Sequence, residues 1–111
     1  MQIAVPKGLN IFVEYIAWVK TLTMTVEYDR ENDGTITGEV MEFCTIENAP
    51  TIEECEKKLI ASMRETAQFF AEDFEIFSSG RPYEVPYVIK ILFSSDAELK
   101  SCLHGKTCNV F

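Results

Sequence analysis

Between Lys20 and Arg30 apolar and polar side chains alternate, with Leu22, Met24, Val26 and Tyr28 on one side and Thr21, Thr23, Thr25 and Glu27 on the other. A period of two carried by Thr, Val and Tyr predicts a half-buried strand. Asn32-Asp33-Gly34 supplies a turn in which glycine accepts positive φ, and the β-like run Thr35 to Val40 follows at once, so the two strands form a hairpin. A three-residue loop places Val26 opposite Val40 and Tyr28 opposite Gly38 and keeps the apolar faces together; a one-residue slip would set Val40 beside Glu27. The apolar positions then change phase from Ile36 and Val40 to Met41 and Phe43, which predicts a bulge or a break into a third short strand around Phe43 to Ile46.

Thr51-Ile52-Glu53-Glu54 reads as a capping box, the Thr hydroxyl accepting from the N3 amide while Glu54 reaches back to the cap's own N–H. The helix it opens has an apolar stripe of Ile52, Cys55, Leu59, Met63, Thr66 or Ala67, Phe70 and Phe74, with Lys57, Lys58, Arg64 and Glu65 mostly toward water. Ser78, Ser79 and Gly80 end the pattern, Arg81 to Pro86 make a loop, and Tyr87 to Phe93 read as a last strand with Tyr87, Ile89, Ile91 and Phe93 on one face and Pro86 at its start. Ser95-Asp96-Ala97-Glu98 repeats the capping signature ahead of a short C-terminal helix stopped by Gly105. Near the N-terminus, Ile11, Phe12, Tyr15, Ile16 and Val19 fit a helix face while Ile11, Val13, Tyr15, Ala17 and Val19 fit a strand, so both stay open with a lean to strand.

The resulting fold class is α+β: a β-β-β-α-β unit with a mostly antiparallel sheet, one long helix packed on one face and a short C-terminal helix. This order resembles the HicB-like antitoxin family, small partly RNase H-like domains of toxin–antitoxin pairs. The resemblance rests on Thr23-Met24-Thr25-Val26-Glu27-Tyr28 before Asp33-Gly34, on Thr35 to Phe43, and on Thr51-Ile52-Glu53-Glu54-Cys55 with Leu59, similar to that family's T-x-E-E-A helix opening. It covers about residues 20–93 of one domain spanning 1–111, with 1–19 as an N-terminal extension and 94–111 as a C-terminal helix and tail. The resemblance implies a non-catalytic protein that masks a small basic, RNA-cleaving HicA-like toxin. Two features depart from it. Met41-Glu42-Phe43-Cys44-Thr45 lacks the Pro and Gly of that family's bend, and the residues after Phe93 are too few, and without a basic cluster, for the operator-binding module that many relatives append.

Composition narrows the function classes further. The chain has 111 residues, 47% of them hydrophobic, enough for one modest core. Its net charge of −8 opposes the Lys/Arg footprint that nucleic-acid binding requires, so no direct nucleic-acid binding is expected. Ile11 to Val19 carries Glu14 and falls short of the roughly 20 apolar residues of a membrane span. Met1 to Lys7 lacks the features of a secretion signal, which makes the expected location the cytoplasm, with Cys44, Cys55, Cys102 and Cys108 as reduced thiols. Cys102, His104 and Cys108 alone approach ligand spacing, but zinc prefers four N/S ligands, and neither a metal nor a cofactor is expected.

The acidity is concentrated, residues 21–80 carrying −10 and each flank +1. That distribution marks two candidate partner-binding patches, Glu27 with Glu39 on the polar face of the hairpin, and Glu72, Asp73 and Glu75 near the end of the long helix. The second patch sits where a helix dipole disfavours anions, with Phe69, Phe70, Phe74 and Phe77 beside it, most of which should pack into the core. Glu27, Asp29 and Glu31 share a strand face and define the alternative reading, a carboxylate-dependent RNase H-like nuclease using Mg²⁺. A third reading is an orphan homo-oligomer without a toxin. A homodimer or higher assembly is expected in any case, because neither Arg30 nor Lys90 guards a sheet edge well.

Overall fold

The computed structural model describes residues 7–108. Helix α1 (Lys7–Thr21) leads into strands β1 (Met24–Arg30), β2 (Ile36–Val40) and β3 (Thr45–Ala49). Then come the long helix α2 (Ile52–Glu72), α3 (Phe74–Gly80), a 3₁₀ turn at Pro82–Glu84, α4 (Val85–Phe93), α5 (Asp96–Cys102) and β4 (Leu103–Cys108). The strands form one sheet in the order β3-β2-β1-β4, antiparallel except for the parallel pair β1–β4. The α+β class holds.

The hairpin takes the expected register, Val26 opposite Val40 and Tyr28 opposite Gly38. Alternation explains it: Met24, Val26, Tyr28, Ile36 and Val40 are buried beneath α2 while their sequence neighbours face away. Gly34 takes the expected positive φ of 89° in the hairpin turn. The phase change after Val40 is a turn over Met41–Cys44, in which Cys44 adopts φ 49° and Phe43 swings into the core. The third strand therefore starts at Thr45, slightly later than the pattern indicated.

Helix α2 opens at Thr51, whose hydroxyl accepts the Glu54 amide at 3.2 Å, and it buries Cys55, Leu59, Ile60, Met63, Ala67 and Phe70. Its stripe stops at Phe70. The chain leaves helical geometry at Asp73 (φ −117°, ψ 47°), so Phe74 begins α3 and is exposed rather than continuing the stripe. Arg64 does not simply face water: it donates to the Ile91 and Ser94 carbonyls at 3.0 and 2.8 Å and to Asp96 at 2.8 Å, tying α2 to the end of α4 and the start of α5.

Three expectations are corrected. Tyr87 to Phe93 is not the last strand but helix α4, which buries Val88 and Ile91, three residues apart, and is packed against α2. Pro86 sits in its first turn, where a missing N–H costs nothing. The alternation of Tyr87, Ile89, Ile91 and Phe93 fits a strand, but packing on a helical neighbour overrides that local pattern. The N-terminal segment, which leaned to strand, is α1, with Tyr15, Ile16 and Val19 as its covered positions. The fourth strand comes instead from Leu103–Cys108, where a helix end and tail were expected; Gly105 is a strand residue and a Cβ there would lie 3.4 Å from the Tyr28 ring. β1 is thus a central strand and Lys90 lies on a helix, donating to the Lys20 carbonyl, so the sheet edges are β3 and β4 and neither Arg30 nor Lys90 bears on them.

Candidate interaction surfaces

The face of the sheet turned away from α2 is built by Thr25, Glu27 and Asp29 of β1, Thr37 and Glu39 of β2, and Ile46 and Asn48 of β3. Pairing sets Glu27 directly across from Glu39, Glu39 across from Ile46, and Thr37 across from Asn48. Both candidate hairpin acids therefore come together, as like charges in a cross-strand pair, an arrangement that opposes folding rather than assisting it. On the other side of β1 the backbone register places Lys106 beside Glu27. Asn48 steadies the rim of this face by donating to the Thr35 and Thr37 hydroxyls at 2.9 and 3.0 Å. The Thr35 hydroxyl and amide both bond Asp33, and those hydrogen bonds hold the Asp33 carboxyl below its usual range.

Glu42 belongs to the fold instead. Its two carboxylate oxygens accept the Thr25 amide at 2.8 and 2.9 Å, while the Met41 amide donates to the Thr25 carbonyl at 2.9 Å, so a side chain completes the β1–β2 ladder where β2 ends.

The second acidic group lies at the α2–α3 junction. Glu72, Asp73 and Glu75 are exposed around a shallow recess of about 320 Å³ formed by residues 71–76. The break at Asp73 resolves the dipole conflict in part, because Glu75 falls in the first turn of α3, where an anion is favoured. Of the neighbouring aromatics, Phe70 is buried and Phe77 packs against the core, stacked on Phe70 at 5.5 Å, whereas Phe69 and Phe74 are exposed. Half of the cluster is surface, which corrects the expectation that most of it is core.

A third surface, at α1 and α4, was not among the sequence candidates. The two helices pack together and leave grooves. One, of about 690 Å³, is walled by Tyr15, Trp18, Met41, Tyr83 and Tyr87; the other, of about 590 Å³, by Phe12, Ile16, Val19, Ile89 and Phe93. The loop beneath the first groove is held by Arg81 and the fully buried Glu84, Nη2 donating to Oε1 at 2.8 Å and Nε lying 2.5 Å from Oε2 in an ion-pair contact poorly aligned as a hydrogen bond. This pairing raises the Arg81 guanidinium above its ordinary value. The sequence did hold a signal for this surface: the N-terminal segment matched both helix and strand templates because Ile11 to Val19 is apolar except for Glu14.

Among the described residues, metal and acid chemistry find no assembled centre. Cys102 is buried, its thiol donating to the Leu99 carbonyl at 3.2 Å, while His104 is exposed on β4, and the Cys108 side chain lies outside the described residues. Burial pushes the Cys102 and Cys55 thiols up. Glu27 and Asp29 share the open face, with Glu31 just beyond the strand end, and among the described residues no three His, Cys, Asp or Glu groups gather as a cation site. Nor, among those residues, is any helix long and apolar enough to cross a membrane.

A family model described as the antitoxin of a RelE/RelB toxin–antitoxin system, PHD-like, matches residues 11–104, which span α1 through the start of β4. The chain belongs to this antitoxin family. The match takes in α1, which the HicB-like resemblance left outside as an extension. The fold is shared with a crystal structure described as the antitoxin part of a candidate toxin/antitoxin system from Syntrophomonas wolfei subsp. wolfei. The two chains superpose with a TM-score of 0.76 at 24% identity over 86% of this chain and 71% of that one. No curated protein matches the chain.

Proposed function

We propose that this antitoxin-family chain is a non-catalytic cytoplasmic protein that masks a small basic toxin-like partner through the acidic open face of its sheet, and that it does not bind nucleic acid on its own. The observation that carries the reading is the registered Glu27–Glu39 pair within a segment of charge −10. Like charges placed opposite each other weaken a sheet, whereas a cationic partner would turn the same repulsion into attraction. For the partner's class we follow the family description, which names a RelE/RelB system, rather than the HicA-like toxin of the HicB resemblance, because the closing strand of that resemblance is helix α4 in this chain.

The test is co-purification from the native host, identification of the bound protein, and measurement of its association with variants. Glu27→Lys with Glu39→Lys should slow association at least tenfold and flatten its salt dependence, since steering fields of this kind are screened within about 10 Å at 0.1 M salt. Glu72→Lys, Asp73→Lys and Glu75→Lys together probe the junction patch, with a smaller effect expected. Association as fast as wild type in both variants would show that the acids serve solvation only. A shift of RNA or DNA by the pure chain at physiological salt would overturn the electrostatic argument and reopen the Mg²⁺-dependent nuclease, tested by Glu27→Gln.

A further inference from the structure

We propose that α1 and α4 form the face through which two copies of this chain pair about a two-fold axis. The inference stands apart from the proposed toxin surface, which lies on the sheet. Ile11 to Val19 is apolar except for Glu14, a composition suited to an interior, yet α1 has α4 as its packing partner, and residues 8–14 are all exposed. Leu9, Ile11, Phe12, Val13 and Trp18 are each between 47% and 66% exposed, and Phe93 on α4 is 83% exposed. At about 150–250 Å² for a fully exposed aromatic and somewhat less for the aliphatics, these six leave roughly 600–700 Å² of apolar surface in water. A stable interface buries about 800 Å² per partner, and large exposed apolar patches of this kind mark association sites.

Shape and charge both select a second copy as the occupant. A two-fold interface must be self-complementary, and here one patch supplies a ridge, α1, together with grooves of about 690 and 590 Å³ bordering it. The charged residues of α1, α4 and the two grooves are Lys7, Lys20 and Lys90 against Glu14, Glu42 and Glu98, a balanced face on a chain of −8. A basic partner has no attraction to such a face and is drawn to residues 21–80 instead. For two acidic copies approach on this balanced surface costs little, since most of the acidity concentrated in residues 21–80 lies elsewhere.

Light scattering and sedimentation velocity of the full chain at micromolar concentration test this. Wild type should give twice the 12.7 kDa mass of the chain. Ile11→Glu with Val13→Glu, at exposed positions, should return it to 12.7 kDa with an unchanged circular dichroism spectrum. Phe93→Glu on α4 should do the same and serves as the second variant if the first perturbs α1, while Glu27→Lys with Glu39→Lys should remain dimeric. A monomeric wild type overturns the proposal. So does a dimer that survives both α1 and α4 variants, which would assign pairing to the β3 or β4 edge. Loss of binding to a co-purified basic protein by the α1 variant, with wild type monomeric, would instead make α1 a toxin-binding arm and overturn it as well.

Discussion

Gly38 stands directly across the antiparallel ladder from Tyr28, and a β-carbon on Gly38 would lie 3.0 Å from the Tyr28 ring and 2.9 Å from both Cys55 Sγ and Leu59 Cδ1. The tyrosine and the first turns of α2 occupy the space that a side chain would need. Gly38→Ala should therefore destabilise the fold by about 1–3 kcal/mol, the usual cost of overpacking a filled core. Urea denaturation checks it. A midpoint within error of wild type would mean that Cys55 and Leu59 can give way without cost.

The Tyr28 hydroxyl is buried without a hydrogen-bond partner among the described residues. Burial, with smaller contributions from Glu56, Cys55 and Glu53, pushes its pKa up to about 12 from 10.0. Because the folded value is the higher one, this contribution is fully present below pH 10 and is lost as pH rises toward and through about 12. Tyr28→Phe removes an unsatisfied polar group, so stability at pH 7 should be unchanged or higher by up to about 1 kcal/mol. The loss of stability between pH 10 and 12 should also become shallower. A variant clearly less stable at neutral pH would show the hydroxyl to be hydrogen-bonded in solution.

Arg64 joins three elements through the Ile91 and Ser94 carbonyls and the Asp96 carboxylate. Arg64→Met should cost about 2 kcal/mol, since it leaves carbonyls at the end of α4 without their donor while one side of the guanidinium is already in water. Arg64→Lys should recover little of this, because an ammonium cannot present the planar fork. Equal melting temperatures for the Lys variant and wild type would refute the clamp.

Two helix starts have the same capping spacing but differ in geometry. At α5 both arms form, Ser95 accepting the Glu98 amide at 3.1 Å and Glu98 accepting the Ser95 amide at 3.0 Å, and those bonds lower the Glu98 carboxyl below its ordinary value. At α2 the Thr51 hydroxyl caps Glu54, but the returning bond of an expected capping box is missing. Thr51→Ala should cost about 1 kcal/mol. Glu98→Ala should cost more than Glu54→Ala, and because both residues hold the N3 position near the same helix dipole, the difference isolates the returning bond. Equal losses in thermal melts would deny it.

Local chemistry determined the hairpin and the start of α2. Alternation with Asn32-Asp33-Gly34 selects the register, since a one-residue slip exposes the apolar face and the short loop limits larger ones, and Thr51 marks the helix start from within the sequence itself. The acidity of residues 21–80 is likewise a property of sequence alone, and the hairpin register was enough to bring Glu27 beside Glu39. Tertiary packing decided what short apolar runs could not. Residues 85–93 and 7–21 satisfy two periods at once, so the neighbour each run meets selects its conformation: α2 lies beside α4, and α4 beside α1. The last strand, expected within Tyr87–Phe93, comes instead from Leu103–Cys108, which pairs with β1, and Gly38 on β2 leaves room for the Tyr28 ring and the first turns of α2. Gly38 makes sense only from the ring and helix side chains packed over it, and the exposed face of α1 only from what lies beside it, so neither could be read from its own segment.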